Sequence, residues 1–311
     1  MDGELFTRSS GNPILDRAHF SYKREISQVL NPAAIKCNRK VCLLVRVIDR
    51  RNFSHLNLVR SNDGETGWTP DKKPTLQADI NFSEYKAGLE DPRIVWVEEL
   101  RQYIIACVSF RGDQQNYPNG ISLIGTKDFR SFERISKPLG SENKNASLFP
   151  RRIKRKFALI HRPVMDGTAH IAVSFSDDLK LWEGNQIILS ARQRQWDSEK
   201  VGLGCPPIET KEGWILIYHG SCSQANKLIY RVGLALLDLD TLEVKRRSEK
   251  WVFGPEQEYE GGYSGIVFPC GHILQNRKLN IYYGAEDSKI GLATANLDEI
   301  LEYLLKRCPN N

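Results

Sequence analysis

The chain has 311 residues and a mass of 35.5 kDa, a length that allows one large single-core domain or two ordinary ones. Hydrophobic residues make up 41% and charged residues 26%, the mean hydropathy is −0.43, and no apolar run approaches the roughly eighteen residues of a membrane span; disorder and membrane insertion are excluded. The formal charge of +6 is unclustered, and without a lysine-rich arm or an aromatic RNA motif it suits an anionic small ligand, not a nucleic acid.

The first thirty residues mix Asp2, Glu4, Arg8, Asp16, Lys23 and Arg24 with apolar positions, so no signal-peptide core is visible and the cytosol is the expected compartment. Pro32 opens the first of five related segments in which a proline and an apolar stretch lead to a polar turn and a second apolar stretch. The first copy turns at Asn38-Arg39-Lys40 before Val41 to Ile48. The second, after Pro92, turns at Leu100 to Gln102 before Tyr103 to Ser109. The third, after Pro150, turns at Lys154 to Lys156 before Phe157 to His161. The fourth, after Pro206, turns at Lys211 to Gly213 before Trp214 to Tyr218, and the fifth, after Pro269, at Gln275 to Lys278 before Leu279 to Tyr283. Gly120 to Gly125, His170 to Phe175, Leu228 to Leu237 and Ile290 to Ala295 are further predicted strands, rich in β-branched and aromatic residues. Ser61 to Asp79, dense in Gly, Pro and charge, reads as a long exposed connection. At the end, Leu297, Ile300, Leu301, Leu304 and Leu305 follow helical spacing, with Asp298 and Glu299 early and Lys306 and Arg307 late, as the helix dipole favours.

A period of about sixty residues suits a four-stranded antiparallel blade. The expected fold is therefore all-β: a single five-bladed β-propeller over residues 1–311, with a short C-terminal helix. A pair of β-sandwiches punctuated by the same turn chemistry is the alternative. Seven singly scattered cysteines with no Cys-x-x-Cys pair argue for reduced thiols and against a disulfide framework or structural zinc.

In a propeller, the polar residues ending these segments, Asn31, Arg46, Asp91, Arg151, Arg162, Lys200, His219 and Asp287, converge on one axial opening. Asp91 is either a turn opener before Pro92 or a general acid that partial burial keeps protonated, a state that nearby cations would oppose. Arg151, Arg162, Lys200 and His219 are either surface cations or a clamp for an oxyanion, in which guanidiniums supply paired hydrogen bonds and lysine a compact charge. No phosphate-binding glycine loop, HExxH or GxSxG is present, and His55, His170 and His272 lack metal-ligand spacing. Trp68 and Trp196, set in polar loops, are the better candidates for stacking on a sugar.

An ordered series of motifs resembles glycoside hydrolase family 130, the β-mannoside phosphorylases and a few related mannosidases. It runs from Asn12-Pro13-Ile14-Leu15 and Asn31-Pro32-Ala33-Ala34 through Glu90-Asp91-Pro92-Arg93, Leu148 to Arg151, His161-Arg162-Pro163, Lys200 to Pro207 and Tyr218-His219-Gly220. It continues into Gly233 to Asp238, Val267 to Gly271, Tyr283 to Asp287 and Gly291-Leu292-Ala293. The resemblance implies a five-bladed propeller in which Asp91 donates the proton and Arg151, Arg162, Lys200 and His219 bind inorganic phosphate. Asn31, Arg46, Arg60 and Asp287 then surround the sugar. It further implies a single inverting displacement, with the donor acting through a sugar hydroxyl and α-mannose 1-phosphate as product. The partners are a short β-1,2- or β-1,4-mannoside and phosphate as co-substrate, with no metal or other cofactor; homo-oligomerisation is left open. Three departures from the family pattern concern the sugar pocket: Asn145 where aspartate is common, Cys107 in a segment lacking a tyrosine-threonine pair, and Tyr263 before Val267-Phe268-Pro269.

An inverting hydrolase needs a second carboxylate to deprotonate water, whereas phosphate arrives anionic and needs only cations behind the anomeric carbon. The four basic positions favour phosphorolysis. The alternatives are a β-mannosidase with Glu199, Glu260 or Asp287 as base, and a catalytically silent sugar-binding propeller.

Overall fold

The computed structural model describes residues 4–77, 88–110, 120–139, 142–224, 227–262 and 265–310. After β1 (Thr7–Arg8), the first unit comprises β2 (Ile26–Cys37), β3 (Lys40–Asp49), β4 (Ser54–Ser61) and the short β5 (Thr69–Pro70). The second holds β6 (Gly88–Val97), β7 (Gln102–Phe110), β8 (Gly120–Thr126) and β9 (Phe132–Ser136). In the third are β10 (Asn143–Leu148), β11 (Phe157–Met165), the two-residue β12 (Thr168–Ala169), β13 (Ile171–Ser176) and β14 (Glu183–Leu189). The fourth has β15 (Lys200–Leu203), the two-residue β16 (Ile208–Glu209), β17 (Trp214–Gln224), β18 (Lys227–Leu237) and β19 (Val244–Arg247). The fifth has β20 (Val267–Gln275), β21 (Lys278–Ala285) and β22 (Lys289–Asn296), and α1 (Leu297–Arg307) follows it.

Strands within each unit pair antiparallel, and β1 pairs with β22 to give the fifth unit its fourth strand. Each unit is a propeller blade, and the fold is a five-bladed β-propeller. Hydrogen bonding divides the strands into three sheets, and among the described residues the strand pairing between blades is by single parallel bridges, Ser54 with Gly88 and Ala169 with Lys200. Side-chain hydrogen bonds, such as that from the Tyr282 hydroxyl to the Gly64 carbonyl at 2.8 Å, and apolar packing supply the rest of the cohesion. Five buried clusters lie between successive blades, the fifth and first included: Leu43 and Val45 pack with Tyr282 and Leu292, and Ile217 and Leu234 with Leu279 and Ile281. Burial on both faces explains why the central strands read as near-continuous apolar runs.

The five repeats are thus real blades, and their polar turns are tight hairpins. Asn38-Arg39, Lys154-Arg155 and Asn276-Arg277 each place two successive residues at positive φ, between 47° and 71°, the geometry that matches the twist of the flanking strands. Helix α1 forms where expected. Asn296 caps it by accepting from the Asp298 amide at 2.8 Å, and Leu297, Ile300, Leu301 and Leu304 are buried while Leu305 faces solvent. No helix among the described residues is long and apolar enough to cross a membrane.

The long connection expected over Ser61 to Asp79 is exposed at Asn62, Asp63, Thr66, Gly67, Lys72 and Lys73, but it carries β5 and buries Ser61, Gly64 and Trp68; residues 78 and 79 lie outside the described ones. Its polar residues cap their own turn, Asp63 accepting from the Glu65 and Thr66 amides at 2.8 Å each. Trp68 is thereby turned inward, 8% exposed and edge-on to Tyr282 with ring centroids 5.9 Å apart, so it is core and not a sugar platform.

The N-terminal strand is also held electrostatically. Arg8 Nε lies 3.0 Å from Oε1 of Glu260, which is fully buried and also accepts from the Tyr283 hydroxyl at 2.6 Å and the Glu256 amide at 2.9 Å. Burial pushes the Glu260 carboxyl up, but Arg8, the amides and Tyr283 outweigh it and leave it below the ordinary value. This contribution to stability is therefore present at neutral pH and is lost as pH falls through the depressed value. Glu260→Gln is expected to lower the unfolding free energy by about 3–5 kcal/mol, the usual effect of breaking a buried pair. The deficit against wild type in denaturant titrations should shrink on acidification.

Candidate active site

The inner strands of the first three blades bend at bulges, and at each bulge one residue takes the left-handed conformation: Asn31 at φ 46°, Asp91 at 47° and Asn145 at 51°. Asn and Asp tolerate this geometry better than other side chains with a Cβ. All three line one axial cavity of about 320 Å³, together with Arg46, Lys144, Arg162, Lys200, Tyr230, Phe268 and Asp287. Six of the nine expected site residues therefore meet there: Asn31, Arg46, Asp91, Arg162, Lys200 and Asp287.

Asp91 Oδ1 accepts from Asn31 Nδ2 at 2.8 Å and Arg46 Nη1 at 3.0 Å. Arg46 also reaches Glu90 Oε1 at 2.5 Å and Ser54 Oγ at 2.9 Å, so its guanidinium is committed to the acid and its neighbours more than to a sugar. Burial raises the Asp91 pKa, but Arg46, Arg93 and the Asn31 hydrogen bond overcome it and leave the carboxyl below its ordinary value. In the resting protein Asp91 is thus ionised, which corrects the expectation of an acid kept protonated by burial. Two neighbouring carboxyls are raised: Asp287, through burial and then the nearby charge of Asp91, with Arg46 acting against both, and Glu90, through burial that Arg46 opposes.

Lys144, Arg162 and Lys200 form no ion pair among the described residues. Arg162 Nε is enclosed without a hydrogen-bond partner, and the Lys200 ammonium lies 4.9 Å from the Tyr230 ring centroid. His219 sits just behind, fully buried, 4.6 Å from the Phe268 ring and next to Arg162 across Gly202, where a Cβ would come within 2.5 Å of the imidazole. Neither ring nitrogen completes a hydrogen bond, although the Leu203 backbone lies beside the ring. Burial, then the charges of Arg162, Arg93 and Lys200, push its pKa well below the usual value. His219 is neutral, and the expected fourth cation becomes a second-layer imidazole.

Two expected residues are elsewhere. Arg151 lies in the β10–β11 hairpin, six residues past Asn145; it binds Glu209 Oε1 through Nε at 2.8 Å and stacks 5.0 Å over Trp214. Arg60 pairs with Asp71, and it lies six residues along β4 from Ser54, about 20 Å at strand rise. Lys144 takes the place expected of Arg151. Its signal was the repeat itself, since Lys144-Asn145 occupies the bulge position of Glu90-Asp91 in the preceding blade. Tyr230 and Phe268 were also missed, because aromatic residues in strands read as core.

Trp196 stacks on Tyr218, with centroids 5.6 Å apart, and donates to the Glu249 carbonyl at 3.0 Å, outside the cavity. Of the proposed bases, Glu199 is exposed, Glu260 is spent on Arg8 and Tyr283, and Asp287 alone lines the cavity. Cys107 is buried in the core between the first two blades, and Tyr263 lies outside the described residues. All seven cysteines are free, and among the described residues no group of His, Cys, Asp or Glu is disposed to hold a metal.

A five-bladed propeller whose axial cavity gathers two carboxylates, Asp91 and Asp287, with cations that form no ion pair among the described residues has the architecture of a carbohydrate-active enzyme. The chain belongs to glycoside hydrolase family 130, whose profile, described as beta-1,4-mannooligosaccharide phosphorylase, matches residues 7–306. It is 35% identical to 1,2-beta-oligomannan phosphorylase of Thermoanaerobacter sp. (strain X514), covering 94% of this chain and 98% of that protein. Identity with Beta-1,4-mannooligosaccharide phosphorylase of Ruminococcus albus is 28%, covering 97% and 91%. Among solved structures, Beta-1,2-Mannobiose phosphorylase from Listeria innocua, in complex with beta-1,2-mannobiose, superposes with a TM-score of 0.85 at 27% identity, covering 98% of this chain and 99% of that one.

Proposed function

We propose that this enzyme cleaves short β-1,2- or β-1,4-linked mannosides by inverting phosphorolysis, with inorganic phosphate as co-substrate, no metal or other cofactor, and α-D-mannose 1-phosphate as product. The observation that carries this reading is the set of three unneutralised cations, Lys144, Arg162 and Lys200, in the cavity that holds Asp91. Three half-buried cations that form no ion pair among the described residues leave positive charge in the cavity that an anion would offset. The names of the relatives from Thermoanaerobacter, Listeria and Ruminococcus point the same way. Seven free thiols fit a cytosolic setting.

In this mechanism Lys144, Arg162 and Lys200 hold phosphate behind the anomeric carbon, and a phosphate oxygen forms the new bond to that carbon as the glycosidic C–O bond breaks. Asp91 supplies the proton to the departing oxygen through a sugar hydroxyl. Its low resting pKa is compatible with that role, because a phosphate dianion seated opposite offsets the surrounding cations and raises it. Anion binding is then coupled to proton uptake.

Hydrolysis of the same linkages is the second reading, and Asp287 favours it by placing another carboxylate in the cavity. The deciding experiment incubates β-1,2- and β-1,4-mannobiose with enzyme, with and without phosphate. Mannose 1-phosphate formed only with phosphate is expected, whereas equal release of free mannose in both would falsify phosphorolysis.

A further inference from the structure

Arg93 is one of the largest fully buried side chains, 1% exposed, and among the described residues it has no carboxylate partner. Its guanidinium instead donates to three main-chain carbonyls: Asp91 through Nη1 at 2.9 Å, Gly204 through Nε at 2.8 Å and Leu203 through Nη2 at 2.8 Å. The first carbonyl belongs to the bulge that holds Asp91 left-handed in the second blade. The other two belong to Leu203, the last residue of the strand that begins with Lys200 in the fourth, and to Gly204 just after it. The guanidinium carbon also lies 5.8 Å from the centroid of Phe268, on the inner strand of the fifth.

One planar group therefore ties the acid-bearing backbone to the cation-bearing backbone, two strands that are not paired in any sheet among the described residues. Core stability alone does not account for a charge here, since carbonyls only partly offset its desolvation. We infer that Arg93 is a positioning residue that fixes the distance and angle between the Asp91 carboxyl and the phosphate held by Lys200 and Arg162. It touches neither substrate. Its charge also acts on Asp91, Arg162 and His219, all of which feel it. The assignment rests on the phosphorolysis reading for its catalytic consequence and on the three carbonyl hydrogen bonds, with the charge of Arg93, for its effect on Asp91.

Two variants separate fork from charge. Arg93→Lys keeps the charge but cannot reach three diverging carbonyls. Its kcat for phosphorolysis is expected to fall by about 100-fold, the scale of a displacement of about 1 Å, with mannoside KM within about twofold, while the thermal midpoint drops because buried carbonyls lose their donor. Arg93→Met removes both, and the Asp91 titration followed by carboxyl ¹³C NMR should move up by about 1 pH unit, whereas Arg93→Lys should leave it near wild type. The NMR arm needs no turnover, so a wild-type enzyme inactive on mannosides would sink the phosphorolysis reading without deciding Arg93. Unchanged kcat in Arg93→Lys, or an unmoved Asp91 midpoint in a folded Arg93→Met, overturns the assignment. If Arg93→Met does not fold, the kcat of Arg93→Lys decides alone.

Discussion

Asp91→Asn is expected to lower kcat for phosphorolysis by about 100- to 10,000-fold, the range associated with a lost general acid, while anion binding persists. Asparagine is nearly isosteric and its side-chain oxygen still accepts from Asn31 and Arg46, so the bulge and the cavity survive and the loss reports chemistry. Binding should lose its pH dependence as well. In the wild type, a sulfate ion, which does not itself titrate in this range, raises the Asp91 pKa from its depressed resting value. Sulfate affinity is then expected to increase as pH falls towards the depressed resting value of Asp91, because the complex holds the proton more tightly than the free site. In Asp91→Asn this slope should flatten. Calorimetric titrations at several pH values measure both; a slope retained in the variant would assign the proton elsewhere, with Asp287 the first place to look.

Removing a cation should act on the other substrate. Arg162→Ala or Lys200→Ala deletes a charge-assisted contact of about 1.5–3 kcal/mol, so the KM for phosphate is expected to rise about 10- to 150-fold, with a much smaller change for mannoside. Arg151→Ala is the built-in control. Its guanidinium is held by Glu209 on the hairpin, and phosphate KM should stay within about twofold of wild type. Steady-state kinetics with phosphate varied at saturating mannoside distinguish these cases, and a large effect of Arg151→Ala would restore it to the clamp and displace Lys144.

The blades were legible because period, proline and turn chemistry agree: the hairpins at Asn38-Arg39 and Asn276-Arg277 fall where the polar turns predicted them. The acid was legible for the same reason, as Asp91 opens a repeat. Misplacement arose where a local cue outweighed the period. Arg151 and Arg152 stand out as a basic pair, yet they belong to the hairpin beyond the bulge, while Lys144 sits in an unremarkable Asn-Lys-Asn stretch. Charge states were not legible at all. The identity of His219 suggests a cation, but only its enclosure by Phe268, Arg162 and the backbone makes it neutral. Arg60 and Trp68 failed similarly, since a partner at Asp71 and a socket beside Tyr282 exist only after folding.

The pairing of β1 with β22 has a bearing on biosynthesis. Residues 7 and 8 leave the ribosome well before their hydrogen-bonding partners, Thr294 and Ala293, are translated. Until then the nascent chain carries an unsatisfied strand edge and a solvent-facing Arg8, and a ribosome stalled before residue 289 would display four blades without their fastening.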